Sequence, residues 1–292
     1  TARSMAQLMV GRDFALPERP EKRLKRAPRL QVNALDLKAS EAFGTSLKEV
    51  SLEVRAGEIL GIAGVAGNGQ AELLAALSGE RQVEHEAIVM DGARIGHLGP
   101  RQRRGLGLAY IPEERNGHAA IPDLTLAENA LLSAFDRRAL LTNGVIRHSR
   151  ATAFAAEVID RFSVKATGPD ARASSLSGGN LQKFVVGREI LQAPSVLIAA
   201  QPTWGVDAGA AAAIHQALLD LASLGVAVLV VSQDLDELLA LTDRLAVING
   251  GRLSRPLVTA EASIEEIGLL MGGLHDLPGD VPAIAAEAVA HA

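Results

Sequence analysis

Ile59-Leu60-Gly61-Ile62-Ala63-Gly64-Val65-Ala66-Gly67-Asn68-Gly69-Gln70-Ala71-Glu72-Leu73-Leu74-Ala75-Ala76-Leu77 is the stretch that decides the fold. A short apolar run enters a loop with glycines at 64, 67 and 69, and the loop gives way to good helix formers that stop at Gly79. Strand, glycine loop and helix, in that order, is the setting in which backbone N–H groups cradle a phosphate. The glycine spacing is that of G-x-x-x-x-G-K followed by Ser or Thr, yet Gln70 and Ala71 stand where the Lys and the hydroxyl belong. That Lys would reach the β- and γ-phosphates, and that hydroxyl would hold Mg²⁺. The competing reading is a glycine-rich turn that binds nothing.

Upstream, Leu30, Val32, Leu35 and Leu37, then Leu47, Val50, Leu52 and Val54, alternate as half-buried strands of a small antiparallel sheet closed by a turn at Ala56-Gly57-Glu58. Downstream, buried strands are expected near 106–111, 196–199, 226–231 and 245–249. Together with 59–63 they predict an α/β fold with a mostly parallel core. A helical arm is expected over about 116–188. In it, Thr125 and Glu128 have the spacing of a capping box, and Ser149 to Phe162 alternates at helical spacing. Ser177, Gly178 and Gly179 precede Asn180 to Leu191, which reads as a helix, so a hydroxyl and free N–H groups lie at a positive helix end suited to an anion. Gly250-Gly251 predicts a turn into a closing strand around Arg252 to Leu257.

Composition bounds the function. With 292 residues, 48% hydrophobic and 22% charged, the chain can bury a sizeable core and reads as a globular protein of one or two domains. A net charge of −5 argues against general nucleic-acid binding, which needs a basic surface. The absence of cysteine leaves no disulfide framework and no thiolate metal site. Apolar runs such as Val226 to Val231 are too short to cross a bilayer, so any membrane role is expected to be peripheral.

With these segments in place, the chain resembles the ABC ATPase family: a P-loop NTPase fold with a RecA-like core, a small antiparallel β subdomain and a helical subdomain. Leu176-Ser177-Gly178-Gly179-Asn180-Leu181-Gln182 is similar to the family signature, which in a head-to-tail dimer faces the γ-phosphate held by the opposing cassette. Tyr110-Ile111-Pro112-Glu113-Glu114-Arg115 occupies the place of the glutamine loop, with Glu113 where the glutamine stands. After the strand Val196 to Ala199, the family's Asp-Glu pair reads Ala200-Gln201, and the switch histidine is replaced by Gln233. Asp207 is retained in the following loop. Trp204, just before it, reads either as an interface contact or as a partly buried aromatic. Phe43 lies at the family's distance for stacking on adenine, or is a core aromatic.

The resemblance implies ATP and Mg²⁺ as cofactors of the complete machine. In this chain's own site it implies binding through Phe43, Gly64, Gly67, Asn68, Gly69, Gln70, Ala71 and Glu113. With the lysine, the hydroxyl, both carboxylates and the histidine all missing, turnover there is expected to be lost while weak binding survives.

Within the family the chain looks like the second cassette of fused importers for simple sugars and nucleosides, the Gly67-Asn68-Gly69-Gln70 loop leaning towards nucleosides. That resemblance implies an upstream cassette or second copy as partner, permease subunits docking near the surface after Glu113, a solute-binding protein indirectly, and a place on the cytoplasmic face of the plasma membrane. The chain opens at Thr1, as a cut or processed piece would. Met9-Val10-Gly11 near the start and Met271-Gly272-Gly273 near the end also echo one another, so residues 1–12 read as the tail of an upstream copy or as a chance match. Residues 1–29 are expected to hold that tail and a proline-bounded basic linker, 30–262 the cassette, and 263–292 a helix and a weakly ordered tail. Two other readings stand: a nucleotide-free scaffold cassette, and a non-transport ABC protein.

Overall fold

The computed structural model describes residues 26–40 and 44–274. The first part of the chain forms β1 (Pro28–Leu37), β2 (Leu47–Arg55), β3 (Ile59–Ala63), α1 (Gln70–Ser78), β4 (Ile88–Met90), β5 (Ala93–Arg94), α2 (Pro100–Leu106) and β6 (Leu108–Ile111). The helical arm follows as α3 (Leu126–Ala134), β7 (Leu141–Thr142), β8 (Val145–Ile146), α4 (His148–Arg161) and α5 (Gly178–Ile190). The chain then returns to the core with β9 (Val196–Ala200), α6 (Ala208–Ser223), β10 (Ala227–Ser232), α7 (Leu235–Leu241), β11 (Arg244–Asn249), β12 (Arg252–Leu253), β13 (Leu257–Val258) and α8 (Ile264–Met271). Among the described residues no helix is long and apolar enough to cross a membrane.

The core sheet has the order β12-β11-β3-β10-β9-β6, and β11, β3, β10, β9 and β6 run parallel. Its strands are apolar on both faces because both are covered. Ile59, Leu197, Ala199, Val228 and Val230 face the arm, α6 and α7. Leu60, Ile62, Ile198, Leu229 and Val231 face α1 and the small sheet. That sheet has the order β2-β1-β4-β5. Ala34 and Glu49 take positive φ of 43° and 50°, and the resulting register shifts bring Leu35 opposite Val50, which is why the apolar spacing slips from two residues to three.

Several expectations shift. Strand β1 begins at Pro28, so the last two residues of the expected linker are already in the sheet, and residues 1–25 lie outside the described residues. The strand expected from 106 begins at Leu108, because Leu106 ends α2 and Gly107 caps it with φ 113°. The single closing strand is two short ones, since Pro256 lies between them and has no N–H for a ladder. The Thr125–Glu128 capping box forms, with the Glu128 amide donating to Thr125 Oγ1 at 3.1 Å and the Thr125 amide to Glu128 Oε2 at 2.8 Å. The helix from Ser263 forms, and the tail from 275 on is outside the described residues.

A buried ionic knot ties the arm to the core. Glu189 on α5 meets Arg104 of α2 at 2.6 Å and Arg188 at 3.0 Å. Arg188 also donates to the carbonyls of Asn129 on α3, at 3.1 Å, and Ala119, at 2.9 Å.

Candidate functional site

Parallel strands bring their carboxyl ends to one edge, and the loops leaving β3, β9 and β10 therefore converge although the sequence separates them widely. Gly64 leaves β3 where there is no room for a side chain: a Cβ on it would lie 2.6 Å from Gln70 Nε2 and 2.7 Å from the carbonyl oxygen of Ile248. Gly69, with φ 110°, turns the loop into α1.

Within the loop Gln70 folds back on itself. Its Oε1 accepts from the Asn68 amide at 3.0 Å, and its Nε2 donates to the Val65 carbonyl at 2.9 Å. Asn68 is spent on the scaffold: Nδ2 donates to the Val65 carbonyl at 2.9 Å, and Oδ1 accepts from the Gly250 amide at 2.9 Å. The Thr45 hydroxyl donates to the Gly67 carbonyl at 2.6 Å, and the Thr45 amide donates to Glu72 Oε1 at 2.9 Å.

A cavity of about 310 Å³ opens on this loop. Of the residues singled out from sequence it is lined by Gly64, Gly67, Gly69, Gln70, Ala71, Glu113, Ala200, Gln201 and Gln233. Asn68 is not in that lining, and Phe43 lies outside the described residues. Thr45, Glu72 and Ser232, which sequence reasoning missed, also line it. Among the described residues its charged side chains are both carboxylates, Glu72 and Glu113. Glu113, with Glu80, adds to the burial that pushes the Tyr110 hydroxyl well above its ordinary pKa.

At the end of β9, Gln201 adopts φ 47° and is buried, its amide donating to the Val231 carbonyl at 2.8 Å. Its Oε1 accepts from Ser232 Oγ and from the Gln233 amide, each at 3.3 Å. Three of the positions at which the family pattern places Mg²⁺-holding oxygens offer none that is available. Ala71 and Ala200 carry no side-chain oxygen, and that of Gln201 is already engaged. Beneath this loop, Glu237 accepts from Thr203 at 2.5 Å, from Ser232 at 2.7 Å and pairs with His215 at 3.0 Å. Burial pushes Glu237 up, but these hydrogen bonds outweigh it and hold the carboxyl below its ordinary pKa. Neither Glu237 nor His215 belongs to a phosphate-loop pattern, so the sequence offered no signal for this cluster.

Ser177 caps α5 and does not line that cavity. Its Oγ accepts from Asn180 Nδ2 at 2.9 Å, leaving its own proton free to donate. Asn180 Oδ1 accepts from the Lys165 amide at 2.9 Å, so its carboxamide is used within the arm. Gly178 is exposed and Gly179 buried; a Cβ on Gly179 would lie 3.1 Å from Asp207 Oδ2. Asp207 caps α6, accepting from the Ala210 amide at 2.9 Å. Trp204 is 65% exposed, which removes the partly buried alternative.

The chain is 37% identical over 92% of its length to the guanosine import ATP-binding protein NupO of Bacillus subtilis, covering 52% of that protein. It is 36% identical over 94% of its length to the nucleoside import ATP-binding protein NupA of Lactococcus lactis, covering 54%. The ribose import ATP-binding protein RbsA of Bacillus subtilis matches at 35% over 91% of the chain, covering 52%. The chain thus spans about half the length of these curated relatives. A solved dimeric ATP-binding cassette, in a post-hydrolysis state with ADP and Pi, superposes with a TM-score of 0.67 at 21% identity, covering 79% of this chain and 98% of its own, which speaks to the fold. The ABC transporter family profile matches residues 47–204, more than half of the sequence, and the chain belongs to the ABC transporter family.

Proposed function

We propose that this chain is the nucleotide-binding cassette of an importer for nucleosides or simple sugars, and that it completes an ATP site held by a partner cassette instead of running one of its own. Its contribution is Ser177-Gly178-Gly179-Asn180 at the head of α5, offered in trans to the triphosphate on the partner. Its own site, built on Gly64 to Ala71, is weak or silent. The partner is an upstream cassette of the same polypeptide or a second copy. The half-length match to relatives and the Met-Gly echo at residues 9–11 and 271–273 support the first. In this reading residues 1–29 are the tail of that upstream unit plus a linker, 30–262 are the cassette with its helical subdomain at about 116–188, and the assembly works peripherally at the cytoplasmic face with permease subunits and a solute-binding protein.

The observation that carries the reading is Gln70. Phosphoryl transfer needs a cation on the β- and γ-phosphates, a metal shell and a positioned water. Here the side chain at the lysine position is neutral and turned into the loop, and the lining charges are carboxylates that repel a polyphosphate. The loop N–H groups and the dipole of α1 still attract an anion, which supports residual binding. The same carboxamide favours the scaffold reading if it shuts the loop completely. Titrating the chain with a fluorescent ATP analogue separates the two: weak saturable binding without hydrolysis supports a vestigial site, no binding supports the scaffold, and robust Mg²⁺-dependent hydrolysis contradicts both.

A further inference from the structure

We infer that Arg115 is a further phosphate-contacting residue of the shared ATP site, reaching the partner-held triphosphate beside Ser177. This rests on the reading that Ser177 acts in trans. The loop after β6 splits its side chains: Glu113 goes to the cavity under Gln70, while Arg115 lies against the signature and the loop after β9. A Cβ on Gly178 would lie 2.7 Å from Arg115 Nη1, and one on Gly205 would lie 3.3 Å from Nη2. The backbone beneath is fixed, since the Arg115 carbonyl accepts from the Ala120 amide at 2.8 Å.

This is an unfavourable place for a lone cation. Gly178 is the first residue of the 13-residue α5, whose N-terminus is already positive, and cations are disfavoured there. Among the described residues the Arg115 guanidinium has no hydrogen bond or ion pair, whereas Arg104 and Arg188 nearby in the fold are both paired to Glu189. Half-burial removes part of its hydration without replacing it, which lowers its pKa. Helix end, Ser177 hydroxyl and guanidinium therefore gather donors and positive charge, while the carboxylate against this turn, Asp207 beside Gly179, caps α6 and makes no ion pair with Arg115. A triphosphate arriving from a partner supplies an anion, and the guanidinium fork fits phosphate oxygens.

The test is steady-state ATP turnover by the assembled transporter, full-length polypeptide with its permease, carrying Arg115→Gln, Arg115→Lys or Ser177→Arg. Arg115→Gln is expected to lower kcat/KM for ATP about tenfold or more, with partial rescue by Lys and an unchanged melting temperature. If Ser177→Arg abolishes turnover while Arg115→Gln stays within about twofold of wild type, the inference falls and the trans-site reading survives. If Ser177→Arg leaves turnover intact, the trans-site reading falls and takes the inference with it. Loss in both Arg115 variants with a lowered melting temperature marks a structural latch and overturns the contact.

Discussion

Gln70 Oε1 and the Asn68 amide face each other at 3.0 Å, so the side chain that replaces the loop's cation also takes up one of the loop's own N–H donors. On the proposed reading, a phosphate taking up the Asn68 N–H would displace that oxygen and, with the side chain, its companion bond to the Val65 carbonyl at 2.9 Å. Each such bond is worth about 1 kcal/mol net, so the turned-in side chain is held by a modest, removable amount.

Gln70→Lys removes the internal acceptor and restores a cation. We expect its affinity for a fluorescent ATP analogue to rise about tenfold or more, with hydrolysis still absent because Ala200 and Gln201 supply no carboxylate. Equilibrium titration of both chains checks this; equal affinities contradict the role given to Gln70.

Glu189 carries the buried link between arm and core. Burial pushes its carboxyl up, but Arg104 and Arg188 override that and keep it ionised. Glu189→Ala strands Arg188, which is 3% exposed, without its partner and is expected to cost about 3–5 kcal/mol in urea unfolding. A loss below about 1 kcal/mol would show the knot to be dispensable.

Glu237 makes a prediction about pH. Its folded pKa is lowered, so the stability it adds is present above the ordinary carboxyl pKa of about 4.3 and is lost as pH falls through the lower folded value. Glu237→Gln should lose about 1–3 kcal/mol at neutral pH, and the variant and wild type should converge in acid. Melting curves from pH 7 to 3 measure it; a constant gap across that range contradicts it.

Asn180 positions Ser177 through a 2.9 Å bond and is itself held by the Lys165 amide. Asn180→Ala is expected to reduce ATP turnover of the assembled transporter roughly fivefold, the equivalent of one such bond. Unchanged turnover would mean that Ser177 needs no such support.

Much of this was legible in sequence where a local pattern carries a local consequence. The run into Gly64, the Thr125–Glu128 box and Ser177 before a helix each landed on the expected element. Other features escaped for identifiable reasons. Helix α2 hides Arg103, fully buried and satisfied by the carbonyls of Leu77, Gly96 and Leu98, and nothing local in that polar heptapeptide marks the burial. Burial pushes that guanidinium down to about 10. The β7–β8 hairpin does carry a local signal, Asn143-Gly144, whose φ of 51° and 77° make its two-residue turn. The inward turn of Gln70 is made within its own loop, onto Asn68 and Val65, but the motif spacing carries no rule for it; the lodging of Arg115 between Gly178 and Gly205 depends on distant backbone.

The most direct measurement compares Ser177→Arg with Gln70→Ala in the assembled transporter, reading ATP hydrolysis at saturating nucleotide. The account predicts that Ser177→Arg reduces turnover about a hundredfold or more, as loss of donors to a developing phosphoryl charge does, while Gln70→Ala stays within about twofold of wild type. Equal effects of the two substitutions would contradict it.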